Sequence, residues 1–271
     1  MRKKQFFKIL IVSFLAIMIR GMFQLIIPQE KSYFKPSIFV ASGVALLVLI
    51  IYGTVLYMAL SYVFLLVEKE ISGSPIVRGL KYGGMFALMW IAYLYEPLPN
   101  NSIIDMIYYP IIDGSVIVIL GFLLGKFIAK KEVYIKESSR RISVLNIIII
   151  TLIFLVGRLA EYKVFNVFSQ LDKRLGATLI WVIAVGIVIG FIFEGLGKTA
   201  RSKSKIMNCI MFGGVIFGVN LFFFNFFIVV IAKVDIVDLL LRTILDIVWV
   251  IIGAYVSSCL SEYLDKVYFK E

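Results

Sequence analysis

Five ionisable residues lie deep inside long apolar blocks: Arg20, Asp113, Arg158, Arg242 and Asp246. A charge near the bilayer centre costs roughly 2.5–3.5 kcal/mol on insertion scales, so such residues pair, line a polar cavity or reach for the headgroups. Facing guanidinium and carboxylate groups can hold each other, or can hold an ion or a small charged solute between them.

The aspartates come in a repeated pattern. The stretch from Ile103 to Asp113 and the stretch from Ile236 to Asp246 look like copies. Each has two aspartates eight residues apart at the head of a hydrophobic segment: Asp105 with Asp113, and Asp238 with Asp246. Helical spacing puts Asp105, Tyr109 and Asp113 on one face, and Asp238, Arg242 and Asp246 on another. Arg242 lies one turn from each of its aspartates and can pair with either. Asp105 and Asp238 stand at helix starts, where a carboxylate is favourable. Asp113 and Asp246 lie two turns deeper, roughly 12–15 Å along the helix, which capping does not explain. Arg20 and Arg158 should lie at a similar depth. Two pseudo-symmetric ion pairs are therefore expected, Arg20 with Asp113 and Arg158 with Asp246, formed within each half or exchanged between halves. The candidate substrate-binding set is Arg20, Tyr109, Asp113, Arg158, Arg242 and Asp246. The plainer alternatives are static pairs that lock a bundle, or arginines that snorkel to the outer headgroups.

Other polar residues in apolar blocks are Gln24, Glu194, Asn220 and Asn225. Asn in a membrane helix usually bonds a neighbouring helix. Glu194, near a span end, is expected to reach water. Gly121-x-x-x-Gly125, Gly186-x-x-x-Gly190 and Gly214-x-x-x-Gly218 suggest close helix packing. The phenylalanines from Phe222 to Phe227 should face lipid or fill the bundle.

The elements that must position these residues follow from composition. The 271-residue chain is 61% hydrophobic and 17% charged. Its apolar residues form long blocks, the mark of membrane-spanning helices rather than of a soluble core or a β-barrel. Eight spans are expected, over about 6–27, 38–67, 79–98, 103–129, 142–160, 177–196, 206–232 and 236–260. The second is longer than a bilayer needs, so it should tilt or project. The third is short, and a re-entrant third span would make the count odd. The basic N-terminus before an apolar block resembles a signal peptide, but no small-x-small cleavage site follows, so an uncleaved first span is expected.

The fold expected is an all-α polytopic bundle of two tandem four-helix repeats, residues 1–135 and 136–271. Paired landmarks support the duplication: Arg20 with Arg158, Tyr82-Gly83-Gly84 with Phe212-Gly213-Gly214, and the two aspartate pairs. An even number of spans per repeat gives both halves the same orientation, as in parallel-repeat transporters.

Net charge is +11. Of the 28 basic residues, nineteen lie in loops or span ends on the N-terminal side, six lie on the opposite side, and Arg20, Arg158 and Arg242 lie deep within spans. That bias places both termini in the cytoplasm of a cell-membrane protein and argues against nucleic acid as the partner. The basic stretches 130–141 and 198–205 could also meet anionic lipid headgroups.

Histidine is absent and the two cysteines, Cys209 and Cys259, lie in apolar segments. Ser-His and Cys-His catalysis are excluded, and no metal, haem or iron–sulfur cofactor is expected. No phosphate loop or dinucleotide fingerprint occurs. The Gly-x-Gly-Asp pattern of intramembrane aspartyl proteases is missing, although two aspartates could in principle share a proton as a dyad does. The functional expectation is a small-molecule or ion transporter with a charged outer cavity between the repeats. The alternative is a non-catalytic membrane subunit or scaffold with a membrane-protein partner, and an intramembrane enzyme ranks below both.

Overall fold

A computed structural model describes residues 3–25, 27, 35–99, 102–130, 142–196 and 204–268, with only the backbone given for 103–105 and 265–268. The described residues are mostly helical and contain no β-strand. The helices are α1 (Lys3–Gln24), α2 (Ile38–Ala41), α3 (Ala45–Val67), α4 (Pro75–Leu94), α5 (Ile103–Phe127), α6 (Val144–Lys163), α7 (Leu175–Leu196), α8 (Lys205–Ile210), α9 (Gly218–Ile231) and α10 (Ile236–Tyr268). Between α8 and α9 the rod continues as a π-helical segment, Met211–Phe217.

Local chemistry sets the boundaries. Ser37 caps α2 by accepting the Val40 N–H at 3.1 Å. Gly43, at a φ of 75°, then turns the chain before α3. The expected 30-residue second span is thus a short helix, a glycine turn and a 23-residue helix. Pro75 opens α4, where its missing N–H is harmless. Ser143 caps α6 through the Asn146 N–H at 3.3 Å. The head of α10 is capped by Asp235, whose Oδ1 accepts the Val237 and Asp238 N–H groups at 2.9 and 3.2 Å. Asp238, expected in a capping role, instead receives the Phe168 N–H at 2.8 Å and ties down the loop after α6. The Asp105 side chain lies outside the described residues, as do the basic stretches 131–141 and 198–203.

Six described helical runs are long and apolar enough to cross a membrane: α1, α3 with its following turn, residues 106–127 of α5, α6, α7 and the run Lys205–Ile231. Only 33–44% of each window is buried inside the protein, so most of each apolar surface is left for lipid. The chain is a multi-pass membrane protein in design. The other two long helices, α4 and α10, carry Arg78 and Lys81, and Asp238, Arg242 and Asp246, in their N-terminal halves.

Helix packing follows one scheme in both halves. In the first, α1 lies on α3 and α5, and α5 lies on α4; in the second, α6 lies on α7 and α10, and α10 lies on the run from α8 to α9. The halves meet where α3 touches α9 and α4 touches α7. Small residues allow the closest approaches. A Cβ built on Gly79 would fall 2.1 Å from the Gly121 carbonyl oxygen, and one on Gly186 would fall 2.9 Å from the Thr151 Cα. The pairs Gly121/Gly125 and Gly186/Gly190 therefore act as packing surfaces. Gly214/Gly218 does not act as such a pair: a Cβ on Gly214 would meet only Ile210 at 3.9 Å, whereas Gly213 faces Ile251 of α10.

Polar contacts tie the helix ends together. At one end Arg78 donates to the carbonyls of Glu68 and Lys130, and the Glu68 carboxylate accepts the Lys130 N–H. There too Glu194 accepts the Ser143 N–H at 2.9 Å and the Asn146 amide at 2.7 Å. Glu194 thus clamps α7 to α6 as well as approaching water. At the other end Ser37 donates to the Val230 carbonyl at 2.6 Å, and Arg174 donates to the Leu98 carbonyl at 3.2 Å. Both contacts join one half to the other.

Candidate functional site

The first buried cluster joins α1 to α5. Arg20 Nε donates to Asp113 Oδ1 at 2.7 Å, and its Nη2 donates to Oδ2 at 3.0 Å. This two-point contact satisfies the carboxylate and fixes the orientation of both groups. Both side chains are 5% exposed, so neither arginine nor aspartate escapes to a headgroup from here. Pro110, three residues before Asp113 on α5, cannot donate to the helix backbone, which loosens the hydrogen-bond ladder next to the pair. The Arg20 guanidinium lies over the Phe227 ring at 4.1 Å, and Phe227 belongs to α9 of the other half. Tyr109, one turn before Asp113, is half-buried on the same helix.

The second cluster joins α6 to α10 and is larger. Arg158 Nη2 donates to Asp246 Oδ2 at 2.5 Å. Arg158 Nη1 stands 3.6 Å from Glu161 Oε2, an ion pair too long for a hydrogen bond. The side chains of Arg158, Glu161 and Asp246 are all 0% exposed. Aromatic rings of Phe154, Tyr162 and Trp181 surround the Arg158 guanidinium at 5.6, 5.9 and 5.2 Å. Such faces stabilise a desolvated cation that one carboxylate holds at a single point. From the other half, the Tyr93 hydroxyl reaches Asp246 Oδ2 at 3.5 Å.

Arg242 differs from expectation. It pairs with neither Asp238 nor Asp246 but with Glu96, which follows α4: its Nη1 and Nη2 donate to the two Glu96 oxygens, each at 2.9 Å. Nη2 also donates to the Phe168 carbonyl at 2.7 Å. The i,i+4 rule gives proximity along a helix, but a two-point contact to a facing carboxylate is the stronger geometry and it prevails.

The six candidate residues therefore divide between two clusters. Arg20, Asp113 and Tyr109 belong to the first; Arg158, Asp246 and Arg242 belong to the second. Sequence reasoning missed Glu96 and Glu161. Glu161 falls one residue past the expected end of its span, yet it lies i+3 from Arg158, a spacing that pairs side chains on a helix. Glu96 sits inside an expected span beside a proline turn, and its charge at that position was the available signal. Asn220 and Asn225 bind neighbouring helices, Asn220 accepting the Trp90 indole N–H at 2.6 Å and Asn225 donating to Thr243 at 2.8 Å.

Beside the second cluster, Phe224 of α9 packs against Trp90 at 5.0 Å and Tyr93 at 5.6 Å, both of α4. A separate open groove of about 450 Å³ between α4 and α5, lined by residues such as Ala87, Ile91 and Ile111, is apolar and touches neither cluster.

No family model, no curated protein and no solved structure matches this chain.

Proposed function

We propose that the chain is a duplicated eight-span protein of the cell membrane, both termini cytoplasmic, that moves a small solute or ion between its two halves. One observation carries this reading. Each half holds a buried arginine–aspartate pair, and each pair is covered by an aromatic residue from the other half: Phe227 over Arg20, and Tyr93 on Asp246. Charge placed at the contact between two similar bundles is the arrangement expected of a parallel-repeat transporter.

The duplication has geometric support beyond the landmarks. Gly83 meets Val118 Cα and Gly213 meets Ile251 Cα, each at a Cβ distance of 3.2 Å. Val118 lies five residues after Asp113, and Ile251 five residues after Asp246. The helices meeting across the centre also correspond, the second span of each half touching the third of the other. The same reading has α4 and α10 crossing the membrane, with Arg78, Arg242 and Asp246 buried inside the protein and the exposed Lys81 near the start of α4 donating to Ser72.

An aspartyl dyad between Asp113 and Asp246 is disfavoured, because each is held by a different arginine. We therefore assign no catalytic role. The second reading is a non-catalytic subunit, for which the lipid-facing apolar groove between α4 and α5 offers a place for a partner helix.

The test uses purified protein in proteoliposomes offered a mixture of amino acids, nucleosides and organic acids, with uptake read by mass spectrometry. A subset should accumulate, and Asp246→Asn should lose that uptake while inserting in normal amount. Absence of uptake by the unaltered protein, together with a stoichiometric membrane partner on purification, would establish the subunit reading instead.

A further inference from the structure

The second cluster holds one more negative charge than its arginines balance. Arg242 and Glu96 neutralise one another through two hydrogen bonds. That leaves Arg158 facing both Asp246 and Glu161, all three fully buried. Both carboxylates flank the one Arg158 guanidinium, Asp246 Oδ2 lying 2.5 Å from Nη2 and Glu161 Oε2 lying 3.6 Å from Nη1. Yet neither Glu161 oxygen, nor Asp246 Oδ1, receives an N–H or O–H donor from the described residues. Two carboxylates beside one guanidinium offer only acceptors, so they repel one another unless one of them carries a proton.

We infer that Glu161 and Asp246 form a buried proton-binding site, with a single proton held between the two carboxyl groups. One proton makes the whole cluster neutral: two guanidiniums against Glu96 and a singly charged carboxyl pair. It also turns the two opposed acceptors into a donor and an acceptor, which a desolvated site requires.

The neighbours fit that occupant. Groups that titrate or carry charge around the pair are Tyr93 and Glu96 from the α4 side, Arg158 and Tyr162 from α6, and Arg242 from α10 itself. From α7 the ring over Arg158 is Trp181, which does not titrate, and α9 has no ionisable residue. The Tyr162 hydroxyl is buried without a partner among the described residues and sits next in sequence to Glu161. Sodium, the other small monovalent cation, would need several oxygens, and Asp246 Oδ2 is already taken by Arg158 at 2.5 Å.

The matching position in the first half is different. Phe23 stands three residues after Arg20, where Glu161 stands three after Arg158, and Asp113 is fully satisfied by its arginine. The proton site is thus confined to the second half. It rests on the transport reading only for its use: within that reading, the proton is the coupling ion.

Infrared spectroscopy of the reconstituted protein in sodium-free choline buffer at neutral pH tests the site. A protonated-carboxyl C=O band is expected in the unaltered protein. Glu161→Gln, which keeps the shape and supplies an N–H toward Asp246, should lose it, and so should Asp246→Asn. Asp172→Asn, which alters an exposed surface pair, should keep it. No band in the unaltered protein, a band that survives both buried substitutions, or a band removed by exchanging choline for sodium would each overturn the proton assignment. The proteoliposome uptake, run with and without an inward proton gradient, is read separately. Stimulation by the gradient that is lost in Glu161→Gln supports the coupling role. Gradient-insensitive uptake overturns it, while a band without any uptake sinks the transport reading and leaves the site standing.

Discussion

Arg20 and Asp113, ninety-three residues apart in sequence, join two helices through two parallel hydrogen bonds 2.7 and 3.0 Å long. Burial at 5% exposure makes this contact costly to break and cheap to replace. Removing one partner strands the other as an uncompensated ion, whereas apolar residues of similar volume relieve both desolvation penalties. Asp113→Asn should therefore lower stability by about 3–5 kcal/mol, and Arg20→Met combined with Asp113→Leu should recover most of the loss. Thermal unfolding in one detergent decides it: a double variant no more stable than Asp113→Asn would contradict the argument.

Glu96 and Arg242 should couple energetically across the two halves. A double-mutant cycle with Glu96→Gln and Arg242→Gln is expected to give an interaction of about 0.5–3 kcal/mol, the range for residues in one buried network. Coupling indistinguishable from zero would mean that the pair is a by-product of packing.

The glycine pairs discriminate between neighbours. A Cβ on Gly83 would come 2.8 Å from the Ile117 carbonyl oxygen, and one on Gly213 would come 2.4 Å from Ile251 Cγ1. Gly83→Ala and Gly213→Ala should each cost about 1–3 kcal/mol through overpacking. Gly84 has nothing within 4 Å and Gly214 only Ile210, so alanine at either should change stability by about 0.5 kcal/mol or less. The same split in both halves is what duplication requires; a split in one half alone would break the correspondence.

Trp90 reports the contact between halves. Its indole donates to Asn220 at 2.6 Å, both groups being buried. Asn220→Ala should cost roughly 0.6–1.7 kcal/mol, as for single interhelical hydrogen bonds in membranes, and should shift tryptophan emission. Unchanged emission and unfolding temperature together would show that the bond contributes nothing.

The helical architecture was legible because apolar blocks and loop punctuation carry it directly. Each expected span overlaps a helix, from α1 through α10. The Arg20–Asp113 and Arg158–Asp246 contacts were legible too, because burial leaves a deep arginine few partners other than a deep carboxylate. The failures share a cause. The partner of Arg242 and the places of Glu96 and Glu161 in the cluster cannot be read from any helix taken alone. What decides those cases is which side chains face one another across helices, and a period of 3.6 residues does not record that. The π segment Met211–Phe217 was equally hidden: an extra residue per turn leaves no trace in an unbroken apolar run.

The crossed aromatic cover has a mechanical consequence. Phe227 sits over a charge that belongs to the opposite half, and the Tyr93 hydroxyl touches one. Each half is therefore the roof of the other. Sliding α9 away from α3, or α4 away from α7, uncovers a charge that the moving half does not own. Neither half can move off the other at these contacts without baring a buried charge.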